Sequence, residues 1–135
     1  HCAEPACLPT CPTGAIFKRQ KDGIVDIDST LCIGCRRCEA ACPFGAPQYN
    51  PETNTVVKCN MCVDEIDAGR KPYCVMACMM RVLDIGPIDG LRDGTYATKA
   101  RGPNDEVVRQ VRNMADPDLT NPSIVFVPHS KGRAG

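Results

Sequence analysis

Twelve residues, Cys32 to Pro43, read C-I-G-C-R-R-C-E-A-A-C-P and place four thiols two, two and three residues apart before a proline. That is the spacing of bacterial iron–sulfur runs, in which three thiolates on a tight loop converge on one 4Fe–4S cluster. The loop residues Ile33-Gly34 and Arg36-Arg37 can aim backbone N–H groups at the bridging sulfurs, which eases the burial of a charged object. Cys42 follows a short helical turn that carries it towards a neighbouring cluster, and Pro43 ends the turn because it cannot continue a helix. A structural zinc site asks for four ligands in two pairs, which the middle spacing fits poorly.

Two further thiol groups flank this run. His1 to Pro12 reads H-C-A-E-P-A-C-L-P-T-C-P, with Cys2, Cys7 and Cys11 four and three residues apart and a closing proline. One more cysteine two or three residues before His1 would complete C-x-x-C-x4-C-x3-C-P, so the chain is expected to be the latter part of a longer polypeptide. Downstream, Cys59-x-x-Cys62 is followed after eleven residues by Cys74-x-x-x-Cys78. Alone, that spacing suits a zinc knuckle equally well. Beside two iron–sulfur motifs it reads as a third with an insertion, although Met79 stands where proline is usual.

The elements that must position these thiols are short. Ala15-Ile16-Phe17 and Ile24 to Ile27 flank Lys21-Asp22-Gly23, a hairpin signal. Phe44 to Tyr49 and Thr55 to Val57 flank a weaker one at residues 50–54, so motif and hairpin alternate about every 30 residues, as internal duplication predicts. A helical turn is expected over Val63 to Ala68 with Gly69 ending it, a strand over Val82 to Ile85 and a helical turn over Pro87 to Arg92. The spacing also predicts a helix over Asp105 to Met114 and a strand over Ile124 to Val127. Composition agrees with a scaffold held by its thiols: among 135 residues there are 11 Cys, 11 Gly and 12 Pro, but only three Tyr, three Phe and no Trp. So few large apolar groups make a poor core without metal or covalent staples. The odd cysteine count argues against a closed disulfide framework. Net charge is zero, which gives no nucleic-acid signature. No apolar run is long enough to span a bilayer, and the first residues read as a divided motif rather than a signal peptide.

With these motifs in place, the chain resembles the iron–sulfur electron-transfer subunits of membrane-bound molybdopterin oxidoreductases, of the dimethyl sulfoxide reductase type. The likeness is carried by residues 1–12 and 32–50, K-C-N-M-C at 58–62, G-R-K-P-Y-C-V-M-A-C at 69–78, L-D-I-G-P-I-D-G-L-R at 83–92 and N-P-S-I-V-F-V-P at 121–128. It implies an α+β fold of tandem ferredoxin-like 4Fe–4S domains, loop-rich, over residues 1–93. Residues 94–135 would form an extended tail packing on that region or on a partner.

The resemblance further implies four cubane clusters in a four-motif parent, with the fourth cysteine of each motif crossing to its pair. Cys11, Cys32, Cys35 and Cys38 then form one complete set. Cys2, Cys7 and Cys42 form a second that lacks one ligand, Cys59, Cys62 and Cys74 a third also one short, and Cys78 belongs to a fourth. Five cysteines would precede His1. Because Cys38 occupies the position that some members replace, a full cubane is expected there. The implied role is to relay electrons from a quinol-oxidising membrane anchor to a molybdopterin catalytic subunit. The chain itself would be non-catalytic and held to the outer, periplasmic face of a bacterial inner membrane through its partners. A freestanding polyferredoxin and a zinc-binding interaction module are the rival readings. Arg36, Arg37, Lys58 and Arg81 are expected to be solvated surface charge, and His1 and His129 to be exposed rather than ligands.

Overall fold

The computed structural model describes residues 1–96 and 106–128. The first cysteine motif is built from turns, because Pro9 has no N–H to give and obstructs a helix between Cys7 and Cys11. Leu8 N donates to Pro5 O at 3.1 Å and Cys11 N to Leu8 O at 3.3 Å instead. A hairpin follows, with β1 (Ile16–Lys18) antiparallel to β2 (Val25–Ile27), so that Ile16 faces Ile27 and Lys18 faces Val25. Its turn is closed by Arg19 N donating to Ile24 O at 2.8 Å and by an Arg19–Asp22 ion pair at 2.9 Å. Gly23 takes φ 72° there, a conformation that favours glycine.

The central run then forms a loop and the short helix α1 (Arg37–Ala41), which ends as Cys42 turns extended at φ −84°, ψ 115°. The second hairpin pairs β3 (Gln48–Asn50) with β4 (Thr55–Val57) in antiparallel register. Asn50 Oδ1 accepts from Glu52 N at 3.0 Å within its turn, an Asx arrangement that needs no helix or sheet partner. Two helices carry the third motif, α2 (Val63–Asp67) and α3 (Tyr73–Ala77), with Cys78 extended at the end of α3 just as Cys42 is at the end of α1. Met79 therefore does not prolong the helix. Then α4 (Ile88–Asp93) stops at Gly94, which takes φ 84°.

The described chain divides into two compact units. One is His1–Met61 together with Ala115–Ser123, and the other is the described part of Cys62–Met114 with Ile124–Gly135. The core of the first is small and rich in thiols: Cys7, Ile16, Val25, Cys38 and Val56 are buried together, with Leu8, Cys11, Ile27, Cys32 and Tyr49 against them. Burying each Val or Ile side chain contributes about 1.5–3 kcal/mol, and so few of them make a thin core without what the thiols hold.

Three expected elements are absent among the described residues. Residues 82–85 form no strand; Val82 and Leu83 lie exposed, and no described strand pairs with them. Residues 106–114 are irregular instead of helical, since Val108 exchanges backbone bonds with Phe126 at 2.8 Å in both directions. The strand expected over 124–127 is reduced to that single bridge. Asp105 and His129 lie outside the described residues. No helix among those described is long and apolar enough to cross a membrane.

Candidate metal centre

Hairpin and loop geometry bring Cys11, Cys32, Cys35 and Cys38 around one cavity, whose other walls are largely apolar: Ala15, Ile16, Ile27, Ile33 and Val56, with Thr13 and Arg36 at its edge. Cys42 does not line it. Cys11 arrives from the turn before β1, while the other three lie on the loop and first turn of α1. Gly34 lets that loop close, because it takes φ 67° and a Cβ there would collide with the Asn54 carbonyl of the second hairpin's turn. Arg36 also takes a positive φ of 61°, stacks on Tyr49 at 5.1 Å and pairs with Glu39 at 2.7 Å.

A 4Fe–4S cubane requires one thiolate for each iron, apolar walls around its inorganic sulfides and N–H donors to sulfur. The residues around this cavity meet all three requirements. Val56 N donates to Cys32 Sγ at 3.4 Å, which is the donor contribution of β4. Among the described residues no group of three or more His, Cys, Asp or Glu closes on a single metal ion.

Cys2, Cys7 and Cys42 lie in the same unit, and Cys7 feels the charges of the other two. Burial pushes the Cys7 thiol up, and the charges of Cys42 and then Cys2 push it further. Cys38 is raised chiefly by burial, with the charges of Cys7 and Cys32 adding to it. Such thiols hold their protons more tightly than a free thiol, and a metal that binds them must displace those protons. Cys11 is the opposite case. Burial would raise it, but hydrogen bonds from the Thr13 hydroxyl and from backbone N–H groups of Ile16, Thr13 and Ala15 outweigh that and bring it below the usual thiol range.

A local device recurs after the last cysteine of each of the later motifs, where the following backbone folds its N–H groups back onto sulfur. Ala46 N donates to Cys42 Sγ at 3.5 Å. The backbone N–H groups of Leu83 and Val82, then Arg81 and Met80, hold the Cys78 thiol below its ordinary range. Met61 N similarly donates to Cys59 Sγ at 3.4 Å, with Met61 and Cys62 both at positive φ. In the second unit the inserted residues between Cys62 and Cys74 are clamped by Glu65, only 7% exposed. Arg70 donates to both of its oxygens at 2.6 and 2.9 Å and the Tyr73 hydroxyl donates at 2.8 Å, which hold its carboxyl at about 2.

Two expectations about side chains are corrected. Lys58 is half-buried rather than solvated: its ammonium donates to the Val25 carbonyl of β2 and to Cys59 O, the latter at 2.6 Å. His1 is likewise half-buried, and its Nδ1 accepts from Val25 N at 3.0 Å. Arg37 and Arg81 are exposed as expected. Lys18, opposite Val25 in the hairpin, reaches Cys2 O at 2.7 Å and Ala3 O at 3.0 Å. No sequence signal marks Lys18 or the bond of Lys58 to Val25, since the carbonyls they reach are brought near only by the fold.

The sequence profile of the 4Fe-4S dicluster domain family matches residues 1–88. Over 98% of its length, the sequence is 44% identical to a component of the anaerobic dimethyl sulfoxide reductase of Escherichia coli K12, covering 60% of that protein. It is 39% identical over 76% of its length to a component of the sulfite dehydrogenase of Allochromatium vinosum, covering 45% of it. A formate dehydrogenase iron-sulfur subunit of Haemophilus influenzae is 45% identical over 64% of the chain, which covers 28% of that protein. The chain thus spans about 60% of the length of the dimethyl sulfoxide reductase relatives it matches.

Proposed function

We propose an electron-relay function from one premise: the chain belongs to the 4Fe-4S dicluster domain family. The observation that carries the proposal is the apolar cavity faced by Cys11, Cys32, Cys35 and Cys38. A cluster bound by four thiolates has no open coordination position, so it supplies one-electron exchange rather than substrate binding. This chain's residues do the rest. Cys11, Cys32, Cys35 and Cys38 hold one cluster; Cys2, Cys7 and Cys42 are three ligands of a second; Cys59, Cys62 and Cys74 are three of a third; and Cys78 serves a fourth. The full-length protein then carries up to four cubanes in tandem ferredoxin-like α+β halves, with one complete ligand set in this chain.

The short strands and helices beside each motif support that tandem reading. The boundary near residue 93 and the tail role of 94–135 belong to the same proposal, supported by Ala3 N donating to Asn121 O at 2.8 Å. The full-length protein passes electrons from a quinol-oxidising membrane anchor to a molybdopterin catalytic subunit of the dimethyl sulfoxide reductase type. It is held to the membrane by those partners, on the outer face. What supports these partners is the set of iron–sulfur, reductase and dehydrogenase components to which the chain is similar. The test is stopped-flow mixing of the assembled complex with a reduced quinol analogue, followed by optical bleaching and freeze-quench EPR. Clusters that reduce before the molybdenum centre and reoxidise on addition of sulfoxide support the relay. Clusters that stay oxidised throughout turnover, or a colourless zinc protein, would overturn it.

A further inference from the structure

Among the described residues outside 1–88, where the family profile ends, the Thr120 side chain reaches a candidate ligand directly. Thr120 is only 3% exposed, and its hydroxyl donates to Cys2 Sγ at 3.3 Å across 118 residues of sequence. A single turn of 3-10 helix, Pro117–Leu119, sets it there, capped by Asp116 accepting from Asp118 N at 2.9 Å. The segment is also fastened to the first motif through its backbone. Glu4 N donates to Thr120 O at 3.2 Å and Ala3 N to Asn121 O at 2.8 Å. Pro117 and Pro122 are buried on either side of Thr120, whereas Leu119 between them faces outwards at 63% exposure. The segment is therefore seated by its two buried prolines together with these backbone bonds. The Thr120 N–H is satisfied by Pro117 O, so the hydroxyl is the side-chain group left for the sulfur.

We propose that Thr120 is a positioning residue for electron transfer, its hydroxyl holding and polarising the Cys2 sulfur so that the tail segment 115–123 sets the potential of the cluster Cys2 helps to bind. The inference rests on the proposed function, since it needs Cys2 to be a ligand. The physical reason is charge. One-electron reduction adds negative charge that spreads onto the cysteine sulfurs, and a donor at one of them stabilises the reduced form, raising the potential. A buried donor acts more strongly than a solvated one because its surroundings screen it less. Lys18, which fixes the Cys2 and Ala3 carbonyls, holds the backbone but leaves the sulfur to Thr120.

The test uses the full-length protein in its native complex, with EPR-monitored redox titration and iron and sulfide analysis. Thr120→Val keeps the shape and removes the donor; Thr120→Ala removes the donor without bulk; Thr120→Ser keeps the hydroxyl. The expected result is full iron and sulfide in all three, a lowered midpoint potential of one cluster in Val and Ala, and a wild-type value in Ser. The other clusters should not move. Unchanged potentials in Val and Ala overturn the inference, and so does a Ser variant that falls as far as Val, because packing of the methyl would then be the cause. Cys2→Ser tells the two failures apart: if it leaves every cluster signal and the iron content intact, Cys2 is not a ligand and the proposed ligand set is what fails.

Discussion

Lys58 shows how a charge beside a ligand can serve the fold rather than the solvent. Its ammonium gives hydrogen bonds to Val25 O in β2 and to Cys59 O, so it ties the first hairpin to the start of the third motif. Burial lowers its pKa, while Asp26 and the charges of Cys59, Cys7 and Cys2 favour the charged form. Lys58→Met keeps the length of the side chain and strands the carbonyl of Val25, a residue only 1% exposed. The cost of an unsatisfied buried acceptor is about 1–3 kcal/mol. The variant should therefore unfold at lower denaturant and release iron sooner in a chelator assay, while Arg37→Met, exposed at the start of α1, should match wild type. The bond of Lys58 to Val25 O, those of Lys18 to Cys2 O and Ala3 O, and that of Thr120 to Cys2 Sγ could not be seen in the sequence, because each joins residues distant in the chain. The cysteine motifs can be read in the sequence for the opposite reason: the ligand geometry proposed for them is local and sets their spacing.

At the scale of elements, the hairpins follow from their turns. Asp22-Gly23 and Asn50 to Asn54 supply positive φ and Asx bonds between short apolar runs, and both hairpins form where those signals lie. The three elements that did not form needed partners that local pattern cannot supply. Val107, Val108 and Val111 share a helical side in the sequence, yet Val108 instead bridges Phe126, an interaction of distant segments. Gly34 carries the sharpest element-scale prediction. Gly34→Ala places a Cβ at φ 67° against the Asn54 carbonyl, where the left-handed conformation alone costs about 1–2 kcal/mol. The cavity around Cys32, Cys35 and Cys38 should then lose its iron before the other sites, read as loss of one EPR signal with the rest retained. Gly45→Ala, with open space around it, should lose none despite its positive φ.

The clamp in the second unit gives a pH prediction. The folded pKa of Glu65 lies at about 2, below its ordinary value of 4.5. Its contribution to stability is therefore fully present above pH 4.5 and is lost as pH falls from there towards 2. Glu65→Gln should reduce amide protection of α2 and α3 at neutral pH, measured by hydrogen exchange. The gap between variant and wild type should narrow on acidification through that window. A gap that stays constant down to pH 2 would show that Glu65 is not the titrating clamp.

Across the described molecule, the core is too thin to explain order by apolar burial alone, and its buried members include the thiols Cys7 and Cys38. Folding and cluster binding should then be one process. Iron chelation under reducing conditions should broaden the amide spectrum of the first unit, including segment 115–123 through its bonds to Ala3, Glu4 and Cys2. In the proposed division of thiols, Cys11 completes the set of Cys32, Cys35 and Cys38, whereas Cys42 serves a different cluster with Cys2 and Cys7. EPR spectra of Cys11→Ser, Cys32→Ser and Cys42→Ser in the full-length protein, assembled in its complex, test it most directly. Cys11→Ser and Cys32→Ser should alter the same cluster signal, and Cys42→Ser another. A shared signal for Cys32→Ser and Cys42→Ser, with Cys11→Ser altering a separate one, would contradict it.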